Sequence, residues 1–99
     1  MCGAPVQTPD LPAGTDLEQA TVITGRVLAD GEPVGGAFVR LLDGTGEFTA
    51  EVVASATGDF RFFAAPGEWT LRALSRVGSG TAAIKPAAPG LHSTDVAVA

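Results

Sequence analysis

The chain has 99 residues, a formal net charge of −5 and a single cysteine, Cys2. This length predicts one domain that buries roughly 60–70% of its unfolded surface, and a lone cysteine excludes an intrachain disulfide and is typical of a cytoplasmic protein. One lysine and five scattered arginines form no basic stripe, and residues 1–12 have no signal-peptide pattern; we therefore expect no nucleic-acid or membrane partner.

The first 20 residues are predicted to form a flexible arm. They contain three prolines and two glycines but few large apolar groups, a composition that favours extended or mobile chain. Residues 16–20 have the length of a single helical turn, which is too short to be stable alone. The folded domain is expected to span residues 21–99.

Seven short strands follow, separated by turns rich in glycine, proline and aspartate. They are Val22–Ala29, Ala37–Leu42, Phe48–Ser55, Asp59–Ala64, Trp69–Ser75, Thr81–Lys85 and Thr94–Val98. Regular short strands without a credible helix predict an all-β fold, a seven-stranded antiparallel Greek-key β-sandwich. The glycines of residues 31–36 and 44–46 are expected to form turns, because a phosphate loop needs a following helix.

Alternation along the strands separates core-facing from outward-facing positions. The predicted core-facing residues are Ile23, Gly25, Val27, Ala37, Val39, Leu41, Phe60, Phe62, Trp69, Leu71 and Ala73. Four outward-facing residues are also apolar, namely Phe38, Leu42, Phe63 and Leu74. Isolated apolar residues are ordinary on protein surfaces, and loops or the arm can cover them. If Phe38 and Phe63 instead lie side by side on one outer face, they form a patch typical of a partner or self-association surface.

Each of four strands also carries one outward-facing arginine. These are Arg26, Arg40, Arg61 and Arg72. Guanidinium groups pair well with oxyanions such as thiosulfate, sulfite or a carboxylate, so the four arginines are candidates for binding a small anion. The alternative is that they keep the sheet faces soluble and pair with nearby acidic residues.

Cys2 has the most reactive side chain of the sequence. Removal of Met1 would place its thiol beside a free ammonium group, which favours the thiolate and makes Cys2 a candidate persulfide acceptor. The alternative is an inert, exposed cysteine. His92 is the single histidine, and with one cysteine it makes no ligand cluster, so we predict no metal, no cofactor and no catalytic constellation.

Four motifs between residues 22 and 74 place turn residues ahead of alternating apolar positions. They are Gly25-x-Val27, Pro33-Val34-x-Gly36-Ala37-x-Val39-x-Leu41, Thr57-Gly58-x-Phe60-x-Phe62 and Pro66-Gly67-x-Trp69-x-Leu71. This pattern resembles the carboxypeptidase-regulatory-like domains, which have a prealbumin-like (transthyretin-like) β-sandwich. The resemblance implies the same fold.

A longer likeness is carried by Met1-Cys2 and by the runs Thr21–Val27, Gly36–Asp43 and Glu47–Gly67. Over these runs the chain looks like a small actinobacterial family of unknown function, sometimes labelled SseC-type. Its members are encoded beside thiosulfate sulfurtransferases of the rhodanese type and are linked on that basis to sulfur metabolism. No site residues transfer with this resemblance.

Three hypotheses follow from the resemblance and the residues together. The first is a non-enzymatic accessory protein that binds a rhodanese-type sulfurtransferase through a face near Phe38 and Phe63, with Cys2 accepting sulfur. The second is a structural or ligand-binding β-sandwich without sulfur chemistry. The third, an enzyme acting on sulfur oxyanions through the arginines, lacks a nucleophile–base pair. An exposed edge strand also favours a homodimer.

Overall fold

The computed structural model describes residues 19–99, which form nine strands and no helix. The strands are β1 (Thr21–Ala29), β2 (Glu32–Pro33), β3 (Phe38–Leu42), β4 (Phe48–Val53), β5 (Asp59–Phe63), β6 (Trp69–Ser75), β7 (Gly78–Ile84), β8 (Gly90–Ser93) and β9 (Val96–Ala97). They form two packed sheets, and the predicted all-β sandwich is confirmed.

The first sheet is built around β1. This strand pairs antiparallel with β5 and β2 and parallel with β8 and β9. The second sheet has four strands in the order β4-β3-β6-β7, and each neighbouring pair is antiparallel. Because β3 pairs with β6 while the intervening β5 pairs with β1, the chain crosses between the sheets after β4 and again after β5.

The core lies between the two sheets and is formed by the residues that alternation placed inward. Most of these side chains are buried, and Gly25 and Trp69 are half-buried. Phe60 and Phe62 are neighbours on one face of β5, with ring centroids 6.2 Å apart. Trp69 donates its Nε1–H to the carbonyl of Ala65 at 2.8 Å, which satisfies the polar atom of an otherwise apolar side chain. Each fully buried side chain of this size contributes roughly 1.5–3 kcal/mol.

Two features of the strand prediction are wrong in detail. The structure has nine strands rather than seven, because β2 and β8 were not predicted. In addition, β7 begins at Gly78 rather than at Thr81. The final segment is not antiparallel throughout, since β8 and β9 run parallel to β1. Pro86 and Pro89 lie in the connection that leads from β7 to this position, and proline cannot continue an interior ladder.

The last residues join the two sheets on one side of the sandwich. Val96 and Val98 are buried in the core. The amide of Val98 donates to the carbonyl of Leu28 on β1 at 2.9 Å. The amide of Ala99 donates to the carbonyl of Ser79 on β7 at 3.2 Å. The C-terminal segment therefore hydrogen-bonds to both sheets and covers the edge of β7.

Candidate functional site

The outer face of the four-stranded sheet carries an apolar row at one end. Phe38 on β3 lies directly opposite Leu74 on β6 and Val53 on β4. Directly opposite residues have Cβ atoms about 4.5–5.5 Å apart, so the three side chains are in contact range. Phe38 is 44% exposed even with these neighbours. An aromatic side chain is thus presented to solvent on a rigid pair of strands.

The next row of the same face carries two arginines. Arg40 on β3 lies directly opposite Arg72 on β6, and Glu51 on β4 lies on the other side of Arg40. Arg40 Nε donates to Glu51 Oε2 at 2.7 Å, and its guanidinium lies 5.7 Å from the ring centroid of Phe48. Two like charges directly opposite each other on a sheet are destabilising. Glu51 offsets this for Arg40, whereas Arg72 makes no ion pair within residues 19–99.

A groove of about 700 Å³ continues from this apolar row. Phe38 and Leu74 line it together with Arg76 and Val77, which follow β6, and Glu32 on β2. Val77 is 58% exposed although it is fully apolar. We refer to Phe38, Arg72, Leu74, Arg76 and Val77 as the Phe38 face.

Sequence reasoning missed Arg76 and Val77, because both lie beyond the end of β6 in the tight turn to β7. Turn residues have no strand face, so alternation assigns them to neither side of a sheet. The signal that was available is the valine itself, since an apolar residue in a short turn is exposed unless a neighbouring element covers it.

Phe63 does not join this face. It lies on β5 in the other sheet, in a row with Val22 on β1 and Leu91 on β8. Phe63 and Leu91 are 55% and 50% exposed. Because β3 and β5 belong to different sheets and both phenylalanines point away from the core, they occupy opposite outer faces. The expectation that Phe38 and Phe63 lie side by side is wrong.

Leu42 shares the sheet of Phe38 but not its row. It lies two rows away, opposite Thr70 on β6 and Phe48 on β4, where the β3–β4 register shifts. Leu42 is half-buried, whereas Phe48 is 60% exposed. The arginine row therefore separates Leu42 from the apolar end of the face.

The four outward-facing arginines are divided between the two outer faces. Arg40 and Arg72 lie on the four-stranded sheet, whereas Arg26 and Arg61 lie on the sheet of β1 and β5. Arg26 Nε is 3.6 Å from Asp59 Oδ1. A single anion site made by all four arginines is therefore wrong, because the core separates the two pairs.

Two carboxylates with lowered pKa, Asp59 at the start of β5 and Asp43 directly after β3, stabilise the turns beside them. Thr57 Oγ1 donates to Asp59 Oδ2, and Ser55 Oγ donates to the same carboxylate at 3.1 Å. The hydrogen bond from Thr57 is the main cause of the lowered pKa of Asp59, and burial opposes it. These contacts close the turn between β4 and β5.

Asp43 has the same role in the turn between β3 and β4. Its Oδ1 accepts hydrogen bonds from the hydroxyl and amide of Thr45 and from the amide of Glu47, which lower its pKa.

Across residues 19–99 no three metal-capable side chains cluster, and no helix is long and apolar enough to cross a membrane. Cys2 lies outside the described residues.

Close relatives cover almost the whole chain. The uncharacterized proteins Rv0814c and Rv3118 of Mycobacterium tuberculosis are each 66% identical over 99 residues, covering 99% of both chains. An uncharacterized protein of Mycolicibacterium smegmatis is 68% identical over 90 residues, covering 90% of this chain and all of its own length.

Solved structures with a similar fold are distant in sequence. A DUF3823 family protein from Parabacteroides merdae has a TM-score of 0.61 at 16% identity, covering 81% of this chain and 46% of its own. Catechol 1,2-dioxygenase from Acinetobacter sp. ADP1 has a TM-score of 0.61 at 12% identity, covering 97% and 58%. The chain thus spans about half the length of each, and the likeness shows the fold alone. In sequence, residues 2–98 match the family described as "Protein of unknown function (DUF1416)".

Proposed function

We propose a partner-binding role for this chain, which belongs to the DUF1416 family of proteins of unknown function. The chain acts as a non-enzymatic cytoplasmic module that docks another protein through the Phe38 face. The observation that carries this proposal is the 44% exposure of Phe38 beside Leu74. An exposed aromatic residue fixed on paired strands and bordered by a groove is the usual anchor of a protein interface.

We propose a rhodanese-type sulfurtransferase as the partner. The support is the resemblance to proteins encoded beside such enzymes. In this proposal the Cys2 thiolate attacks the outer sulfur of a persulfide on the partner. A new S–S bond forms on Cys2 while the old one breaks and releases the partner's cysteine as a thiolate, so no external oxidant or reductant is consumed.

Charge introduced at Phe38 tests the docking surface. Phe38→Asp is expected to weaken binding of the sulfurtransferase at least about tenfold, equal to ~1.4 kcal/mol, in isothermal titration calorimetry. Phe63→Asp makes the same chemical change on the opposite outer face and is expected to leave the affinity unchanged. Equal effects of the two variants would contradict docking on the Phe38 face.

The sulfur-transfer step is tested separately by intact mass after incubation with the sulfurtransferase and thiosulfate. We expect an adduct of one sulfur atom that dithiothreitol removes and that Cys2→Ser prevents, while Cys2→Ser still binds the partner. An unmodified Cys2 under conditions of full complex formation would leave docking in place and reject the carrier role.

The groove beside Phe38 favours a second candidate, a small-ligand-binding module without sulfur chemistry. Its volume of about 700 Å³ falls in the range of small-molecule sites. A reactivity profile of Cys2 separates the two candidates, because an inert cysteine reacts with thiol reagents as a free cysteine does.

A further inference from the structure

We infer that the Phe38 face binds an extended, acidic chain segment that inserts an apolar side chain into the groove while its carboxylates pair with Arg72 and Arg76. This inference rests on the proposed function and deepens it by naming the chemistry of the partner. The structure supports it through the charge of the face, the spacing of its residues and the shape of the groove.

The charge of the face is the first support. Within residues 19–99, ion pairs of 2.7–3.6 Å satisfy Arg26, Arg40 and Lys85, whereas Arg72 and Arg76 have none. Glu32 is the acidic residue that lines the groove. Two guanidiniums against one carboxylate leave a local charge of +1 on a chain whose net charge is −5. This local excess is complementary to carboxylates.

The order of the residues at the end of β6 is the second support. Arg72 and Leu74 lie two positions apart on β6 and share its outer face. Arg76 follows in the turn and lines the groove together with Leu74. An apolar side chain therefore lies between two guanidiniums in the order of the chain. An extended partner segment has the same period of two, so the sequence acidic–x–apolar–x–acidic matches this face.

The groove is the third support. Phe38, Leu74 and Val77 line it, and their apolar side chains receive the apolar residue of that segment. Glu32 also lines the groove and repels a carboxylate placed beside it, so the acidic groups of the partner are expected to pair with the arginines rather than to lie beside Glu32.

Two peptides that differ only in charge test this inference on the full chain. Their central sequences are Glu-Thr-Leu-Thr-Glu and Lys-Thr-Leu-Thr-Lys. Titrated into ¹⁵N-labelled protein, the acidic peptide is expected to shift the amide signals of Phe38, Leu74 and Val77 and to bind at least about tenfold more tightly than the basic peptide. Shifts of equal size with both peptides, or shifts centred on Phe63 and Leu91, would overturn it, as would no shift at all.

Arg72→Glu is expected to abolish the preference for the acidic peptide, and Arg72→Gln to reduce it. Arg26→Glu alters the net charge equally on the opposite outer face and is the matched control. Arg72 and Arg26 are both exposed, so a dispersed spectrum is expected for all three variants. A retained acidic preference in Arg72→Glu overturns the assignment.

The sulfurtransferase separates the failure of this inference from that of the proposed function. If Phe38→Asp abolishes its binding but Arg72→Glu does not, the docking function stands and the acidic recognition fails. If the sulfurtransferase does not bind while the acidic peptide does, the named partner fails and the chemistry of the face stands.

Discussion

Gly25 lies on β1, at the point where the connection between β8 and β9 packs against that strand. A Cβ atom at this position would lie 1.7 Å from the carbonyl oxygen of Thr94 and 2.8 Å from the ring of Phe60. Thr94 also donates its amide to the carbonyl of Thr24 on β1 at 2.9 Å, which holds the segment close. The absence of a side chain at Gly25 therefore permits the contact between β1 and the last residues of the chain.

Gly25→Ala is expected to lower the free energy of unfolding by about 3 kcal/mol or more, because a backbone oxygen must move to admit the methyl group. Urea denaturation followed by circular dichroism measures this loss. Gly44→Ala is the matched control, since its nearest neighbour would be 3.8 Å away at Glu68, and its effect should stay within about 0.5 kcal/mol. Similar losses at both positions would contradict the steric argument.

The carboxylate of Asp59, at the start of β5, gives the protein a defined response to acid. Its pKa is lowered from 3.8, chiefly by the Thr57 hydroxyl. A carboxylate whose pKa falls on folding stabilises the native state above its unfolded pKa, and this stability is lost as the pH drops through the lowered value. The affected window therefore begins near pH 3.8 and extends downward.

Thr57→Val removes the donor, so the pKa of Asp59 is expected to rise towards 3.8 and the acid-induced loss of stability to shrink. A ¹³C NMR titration of the Asp59 carboxyl measures the shift directly. Thr45→Val serves as control, because it removes the equivalent hydroxyl from Asp43 and should leave Asp59 unchanged. An unaltered titration of Asp59 in Thr57→Val would show that other groups set its pKa.

At the scale of elements, the terminal strand β9 contributes more than its two residues indicate. Val96 is fully buried, and Val98, directly after the strand, is almost fully buried. Both belong to the apolar core that the two sheets share. The strand therefore closes the core on the side where it lies between β1 and β7.

Val96→Ala is expected to destabilise the protein by about 2 kcal/mol, because a fully packed site loses two methyl groups and keeps a cavity. Val77→Ala makes the same chemical change at a position that is 58% exposed and should cost less than about 0.5 kcal/mol. Thermal unfolding of the two variants measures the difference. A comparable loss in both would show that burial of β9 does not stabilise the fold.

The strands that sequence reasoning identified correctly are those with alternating apolar residues, such as β3 and β5. Those it missed have a physical reason in common. β2 and β8 are short and flanked by glycine or proline, and the start of β7 is Gly78-Ser79-Gly80. Gly80 is required there because a Cβ would lie 1.8 Å from the carbonyl oxygen of Ala97. Only the distant C-terminal segment explains these glycines, and local sequence carries no sign of it.

At the scale of the whole molecule, alternation assigns each residue to an inner or outer side but does not say to which sheet a strand belongs. Phe38 and Phe63 illustrate this limit, since both are outward-facing and lie on opposite surfaces. The candidate site depends on the pairing of β3 with β6, which brings Leu74 and Arg72 beside Phe38 and Arg40. Strand order arises from contacts between residues far apart in sequence, which no local pattern reports.

The predicted homodimer is tested at the edge of β4, which has no strand partner on its outer side within residues 19–99. The amide of Ala54 donates to Ala37, so by the period of two the amide of Glu51 points away from β3. Glu51→Pro is expected to abolish a dimer built on this edge, whereas Glu51→Gln retains the amide and the dimer. Sedimentation velocity measures both, and a wild-type monomer at all concentrations would contradict the prediction.

The parallel pairing of β8 and β9 with β1 has a consequence for biosynthesis. Thr21 and Gly90 are register partners, so the ladder of β1 is incomplete until β8 and β9 have been synthesised. A nascent chain that lacks β8 and β9 leaves one side of β1 unpaired and the core open, a state prone to aggregation. Productive folding is therefore expected only after β8 and β9 have been synthesised, at the slow rate typical of β-proteins with distant pairings.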